Sequence, residues 1–341
     1  MYKREDAFSM AIHDPDLIDA SNLVTMENIN DKMLLAFKEA SIYKLITADS
    51  TDPDRTQLDT AHTYEKISAF GASSPYVARM FLQFKGIIDL ALSNDPIKPQ
   101  LLEQIWSLNE QLLACAQLEL NIREQLGDTI AKCDTLIEQN KLLGSVPPLP
   151  KVKNLENDAR TFLSIGKQFL IDCFKIISLF TGLPITSRSE ARFDNHLTWL
   201  KDNCSSNNNL LTTLTNDLQW IRRLAECRNA VEHPAPGQTI TIENTKLHPG
   251  NKFSLPTWSY DLSNKLNIKE TDIPIHQELD AYLNNMLYGL EDILLSCISQ
   301  SLSQHDIYAI YQRADAEIDP KQPIKYYAGL SPKFYSKIKQ T

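Results

Sequence analysis

Residues 209–237 read NLLTTLTNDLQWIRRLAECRNAVEHPAPG, and this stretch decides how the chain is organised. Leu211, Leu214, Leu218, Ile221 and Ala225 recur at three- and four-residue intervals, the period of one helix face. The asparagines at 207–209 open that helix. Pro234, which lacks an N–H and clashes with the preceding turn, closes it at His233. Just before the stop stand Arg228, Asn229, Glu232 and His233. Asn229 and His233 are four apart and share a helix face, while Arg228, rotated by one residue, has a side chain long enough to swing into the same space. A cation, an amide and an imidazole thus meet at a helix end.

Working outward, Phe162, Ile165, Phe169, Cys173, Ile176 and Phe180 mark an earlier helix that stops at Gly182-Leu183-Pro184. Ser189 can cap a second, running through Phe193, Leu197 and Leu200, and Leu279, Leu283, Met286, Leu290, Ile293, Cys297 and Leu302 mark a fourth. Between the third and fourth lie two β-like runs, 239–242 and 253–260, around the turn cluster His248-Pro249-Gly250-Asn251. Pro256 would confine the second run to a sheet edge. The expectation for residues 155–302 is a four-helix bundle with an inserted β-hairpin.

Upstream, residues 28–48 and 58–92 show apolar residues at helical spacing, broken at 51–54 and 71–75, which predicts three or four modest helices. A 3-and-4 pattern from Leu101 to Ile137 predicts one long helix, kinked near Gly127. Gly144-Ser145-Val146-Pro147-Pro148-Leu149-Pro150 cannot continue it. The sequence therefore reads as mainly α, with a helical domain of unassigned role at residues 1–146, a second helical domain at 151–302 and an extension at 303–341.

A chain of 341 residues with 43% hydrophobic and 23% charged content has enough apolar material for two ordinary cores. No apolar run approaches the ~20 residues that span a bilayer, and Met1-Tyr2-Lys3-Arg4-Glu5-Asp6 is not an apolar signal region, so a cytoplasmic protein without membrane contact is expected. The six cysteines form no Cys-x-x-Cys and read as buried thiols. No metal site or cofactor is expected: there is no Gly-rich phosphate loop, and His13-Asp14-Pro15-Asp16 has no second His nearby. Asp194 with His196, and Glu291 with Asp292, read as solvated helix faces.

The net charge of −9 argues against a surface that coats nucleic acid as a whole, but leaves room for a local site. After Asp319 the chain carries no acidic residue, and Lys325, Lys333 and Lys337 alternate with Tyr327 and Tyr335. Such a tail can hold a phosphate backbone while its rings stack on bases; the plainer reading is a solvated tail tethered by its aromatics.

The order Arg228-Asn229, then His233 four residues on, at the end of a helix, resembles the HEPN superfamily, all-α domains many of which are metal-independent ribonucleases. The resemblance covers roughly residues 155–302. It implies that Arg228, Asn229 and His233 are catalytic, that RNA is the substrate, and that two motifs meet in a homodimer. It also implies a toxin or phage-defence effector, checked by an antitoxin or other regulatory protein. An imidazole with an ordinary pKa near 6.5 can take or give a proton at neutral pH. Arg228 can neutralise a phosphorane with its planar fork, and Asn229 can position phosphate or fix the His tautomer. Two alternatives stand beside this. Arg228 and Glu232 are placed for a helix-surface ion pair, with His233 simply favoured at a helix C-terminus; or the domain is a noncatalytic module that binds protein or RNA.

Overall fold

The computed structural model describes residues 22–29, 33–57, 59–140, 145–204, 209–302 and 307–334. Of these, 54% are helical and 20% lie in strands of four sheets, so the class is mixed α/β and the expectation of a mainly α protein is corrected. Two compact units divide the chain, Met1–Asn109 with Ser299–Thr341, and Glu110–Ile298.

The first unit opens with strands where helices were expected. β1 (Leu23–Ile29), β2 (Met33–Lys38), β3 (Ile42–Ile46) and β4 (Thr63–Ser68) form an antiparallel sheet in sequence order. A short apolar run such as Leu34-Leu35-Ala36-Phe37 fits a buried strand as well as a buried helix. The three residues from Glu39 to Ser41 return the chain at once, pairing Phe37 with Ile42, and that hydrogen-bonded partner decides in favour of sheet. Gly71 makes the turn possible: Ala72 N donates to Lys38 O at 2.7 Å and Ser73 N to Glu39 O at 3.0 Å. α1 (Ala48–Thr51) follows β3; α2 (Pro75–Val77), a π-helical turn (Ala78–Leu82) and α3 (Gln83–Ala91) run on without a break. Phe37 stacks on Phe81 at 5.5 Å, and Trp106 meets Phe81 edge-on at 5.0 Å, closing an aromatic core.

α4 (Lys98–Asn140) is unbroken through Gly127 and contains the boundary between the units. In the second unit α5 (Leu155–Thr181), α6 (Phe193–Asn203), α7 (Asn209–Glu232) and α8 (Ile275–Leu302) lie on the four apolar periodicities. Phe169, Phe174, Trp220, Ile221, Met286 and Leu290 come together where α5, α7 and α8 pack. Between α7 and α8 the chain forms five strands, not one hairpin. β5 (Thr239–Glu243), β8 (Thr257–Asp261) and β9 (Lys269–Pro274) make a three-stranded sheet, and β6 (Lys246–His248) pairs with β7 (Lys252–Ser254). β8 is the central strand, contrary to the edge expected from Pro256, because Pro256 precedes the strand and takes no N–H from its ladder. β9, KETDIP, has no apolar alternation; it is an edge held by backbone pairing to β8. Asn244, just past β5, donates from Nδ2 to Val152 O at 2.8 Å and accepts from Val152 N at 3.1 Å, tying the entry of α5 to the sheet.

Residues 308–330 return to the first unit as a hairpin, β10 (Tyr308–Gln312) with β11 (Tyr326–Leu330). Buried Gln83 of α3 accepts from Lys325 N at 2.8 Å and Tyr326 N at 2.9 Å. Of the residues after Asp319, Tyr326–Leu330 are therefore a paired strand and not a solvated tail.

Candidate functional site

α5 and α7 approach closely at a glycine: a Cβ on Gly166 would stand 3.2 Å from Leu224 Cδ1. The next residue, Lys167, thereby reaches the last turns of α7, where its Nζ donates to Asn229 Oδ1 at 2.7 Å. An ammonium can only donate, so the carbonyl of Asn229 must face it and the amide NH₂ is turned the other way. Burial, and then the neighbouring Arg228, hold the Lys167 ammonium below its usual range, while Glu226, Glu232 and Glu190 act in the opposite sense.

Arg228 Nη2 lies 2.6 Å from Glu232 Oε2, the ion pair that the i,i+4 spacing allows. His233 is the first residue beyond α7; its side chain is exposed, and its N–H donates to Asn229 O at 2.8 Å. After Pro234 the chain turns at 235–238, where Ala235 and Gln238 bridge and Gly237 is left-handed at φ 69°. Asn264 N donates to Gly237 O at 3.0 Å, and Gln238 Nε2 to Glu226 Oε2 at 3.2 Å. These bonds fix the path by which the chain leaves His233. The structure thus gathers Arg228, Asn229 and His233 at one helix end and adds Lys167, which the sequence reading did not single out. Its contact with Asn229 spans 62 residues, and no spacing rule reports such a contact.

A second polar group anchors α7 to α8. Arg223 Nη2 is 3.1 Å from Glu278 Oε1, and its guanidinium sits 5.4 Å from the Tyr282 ring centroid. Burial pushes the nearby Cys227 thiol up to about 12, so it stays protonated.

The other candidates fall differently. Tyr327 is flanked by the Tyr311 ring, stacked at 5.7 Å, and by the Arg313 guanidinium at 5.5 Å. Lys325 is held through its backbone to Gln83, and Lys333 lies beside a groove lined by Leu302, Tyr308 and Ile310. Tyr335 and Lys337 fall outside the described residues. Two readings of solvated faces are corrected for one residue each, His196 and Glu291, while the Asp194 and Asp292 side chains do reach solvent. His196 is buried against Phe174, with Nε2 3.3 Å from Glu190 O, because α6 turns that face inward; Asp194 pairs with Arg222 at 2.5 Å. Glu291 is also buried, on the inward side of α8. Among the described residues no three His, Cys, Asp or Glu side chains cluster as a metal site would require, and no helix is long and apolar enough to cross a membrane.

Comparison with known proteins brings no relative to bear: no family model, curated protein or solved structure matches the chain.

Proposed function

We propose that the end of α7 is a metal-independent endoribonuclease site of the kind the HEPN resemblance implies, acting on RNA in the cytoplasm as a toxin or defence effector under a regulatory partner. The observation that carries this reading is the exposed imidazole of His233, one helical turn beyond the half-buried Arg228 and Asn229. In the reaction a base takes the 2′-OH proton and the 2′-oxygen bonds to the adjacent phosphorus. The bond to the 5′-oxygen then breaks as an acid protonates it. His233 fills one proton-transfer role, and Arg228 faces the charge on the phosphorane. A second His233, from another copy of the chain, fills the other role, which makes a homodimer part of the proposal. The test is cleavage of labelled RNA in EDTA by wild type, Arg228→Ala and His233→Ala, with sedimentation to establish the oligomeric state. Equal turnover by all three would sink the reading, and a fully active monomer would sink its dimer.

The Arg228–Glu232 contact favours a second reading, a noncatalytic module in which the pair and the helix-terminal His are structural. RNA binding without turnover, unaltered by His233→Ala, would select it.

A further inference from the structure

We infer that Lys167 of α5 belongs to this site as a phosphate-holding residue, gripping a phosphodiester oxygen beside Arg228 and fixing the orientation of the Asn229 amide. The inference deepens the ribonuclease reading and rests on it for the identity of the ligand, while the anion site itself stands on the geometry.

Three observations converge. First, the Lys167 ammonium is half-buried and contacts a neutral carboxamide at 2.7 Å; among the described residues no carboxylate stands within ion-pair distance of it. A cation withdrawn from water is costly unless a counter-charge meets it. The ion pairs elsewhere in the chain, such as Lys85 with Glu27 at 2.8 Å, show the usual solution, which Lys167 lacks. Second, the largest single charge effect on it comes from another cation, Arg228, opposed by Glu226, Glu232 and Glu190, so two cations share one helix end and one of them, Arg228, is already paired to Glu232. An anion between them would relieve both burial and repulsion, and would draw the depressed Lys167 pKa back up. Third, the Lys167–Asn229 bond fixes the carboxamide so that its NH₂ faces away from the ammonium. With the Arg228 fork, this gives three kinds of donor that suit a phosphate, which would compete with the Glu232 carboxylate for Arg228.

Lys167 was not legible beside the motif because it comes from a different helix. It stands next to Gly166, where α5 packs closely on Leu224. The role is positional and electrostatic, with no proton transferred through the ammonium. It should therefore appear in binding and KM before kcat.

The test uses the full chain and a fluorescein-labelled 2′-O-methyl oligoribonucleotide, which cannot be cleaved because the attacking hydroxyl is blocked. Lys167→Met, which keeps the stem but removes the charge, should weaken binding about tenfold, the equivalent of one charge-assisted hydrogen bond. Lys167→Arg should retain binding to within about threefold, since it restores the cation. With cleavable RNA, Lys167→Met should raise KM more than it lowers kcat. On the wild-type protein, the oligonucleotide should protect Lys167 from acetylation several-fold, read by mass spectrometry, and this measurement does not depend on a variant folding. Unchanged affinity in a folded Lys167→Met, or no protection of Lys167, overturns the inference even if RNA is cleaved. Loss of binding in Lys167→Met with no turnover by the wild type keeps the anion site and removes the ribonuclease.

Discussion

Glu232 holds one arm of the Arg228 guanidinium, with Oε2 2.6 Å from Nη2. The two readings of the motif part at this contact, because a structural pair and a restrained catalytic fork respond oppositely to its loss. If Arg228 serves phosphate, Glu232→Gln removes a competing anion and frees the fork, so RNA affinity should rise by about two- to tenfold. Stability should change by only a few tenths of a kcal/mol, the usual worth of an i,i+4 pair. Titration of the 2′-O-methyl oligonucleotide against both proteins checks this; weaker binding by Glu232→Gln would mark the pair as structural.

His233→Ala should lower cleavage by ~10²- to 10⁴-fold, the typical cost of one acid–base group. Its side chain is exposed beyond the end of α7, so the melting curve should scarcely move. Arg228→Lys should also be poor, since a point charge cannot reproduce a planar fork. The products should carry 2′,3′-cyclic phosphate, seen on sequencing gels, and the reaction should survive EDTA. A requirement for Mg²⁺ would count against the mechanism.

Gly71 and Gly86 make a matched pair in the first unit. A Cβ at position 71 would lie 2.2 Å from Ser41 N and 2.3 Å from Lys38 O, both backbone atoms of the β2–β3 connection. Gly71→Ala must push that turn away and break the bonds from Ala72 and Ser73, so a loss of more than about 3 kcal/mol is expected. At Gly86, inside α3, nothing lies within 4 Å of the added atom. Gly86→Ala should stabilise by about 0.5–1 kcal/mol through helix propensity. Urea unfolding of the two variants measures both, and similar effects of the same sign would refute the packing at residue 71.

Acid should weaken the first unit through Asp89. Burial alone would raise its carboxyl, but hydrogen bonds from Lys85 and Lys98 outweigh this and hold it below the ordinary carboxylate range. Lys85 Nζ also lies 2.8 Å from Glu27 Oε2. The depressed native pKa means that the unfolded chain takes up the proton first. The stabilising contribution is therefore present above the unfolded pKa and lost as pH falls through the native one. Lys85 is raised despite burial, because Asp89 and Glu27 outweigh it, so its contribution is lost only as pH rises through its own native value. Melting temperatures of wild type and Asp89→Asn should converge as the solution is acidified below about pH 4. A gap that stays constant down to pH 2 would show that the ion pairs contribute nothing.

What the sequence determined by itself was local. The apolar period carries α5, α6, α7 and α8, because a helix satisfies its own backbone and needs only one face to bury. The stop at Pro234 and the grouping of Arg228, Asn229 and His233 on the final turn follow from the same one-dimensional rules. The tertiary structure decided everything that depends on a partner distant in the chain. Residues 28–48 carry apolar spacing that a helix would accept, yet 33–38 and 42–46 within them are strands because β2 finds β1 and β3 on either side. β9 has no apolar signal, and the residues after Asp319 resemble a basic tail until Gln83 and the β10–β11 pairing hold those up to Leu330. Lys167 is the same case at the site: side chains 62 residues apart meet beside Gly166, where two helices pack closely, and no period within one element encodes that approach.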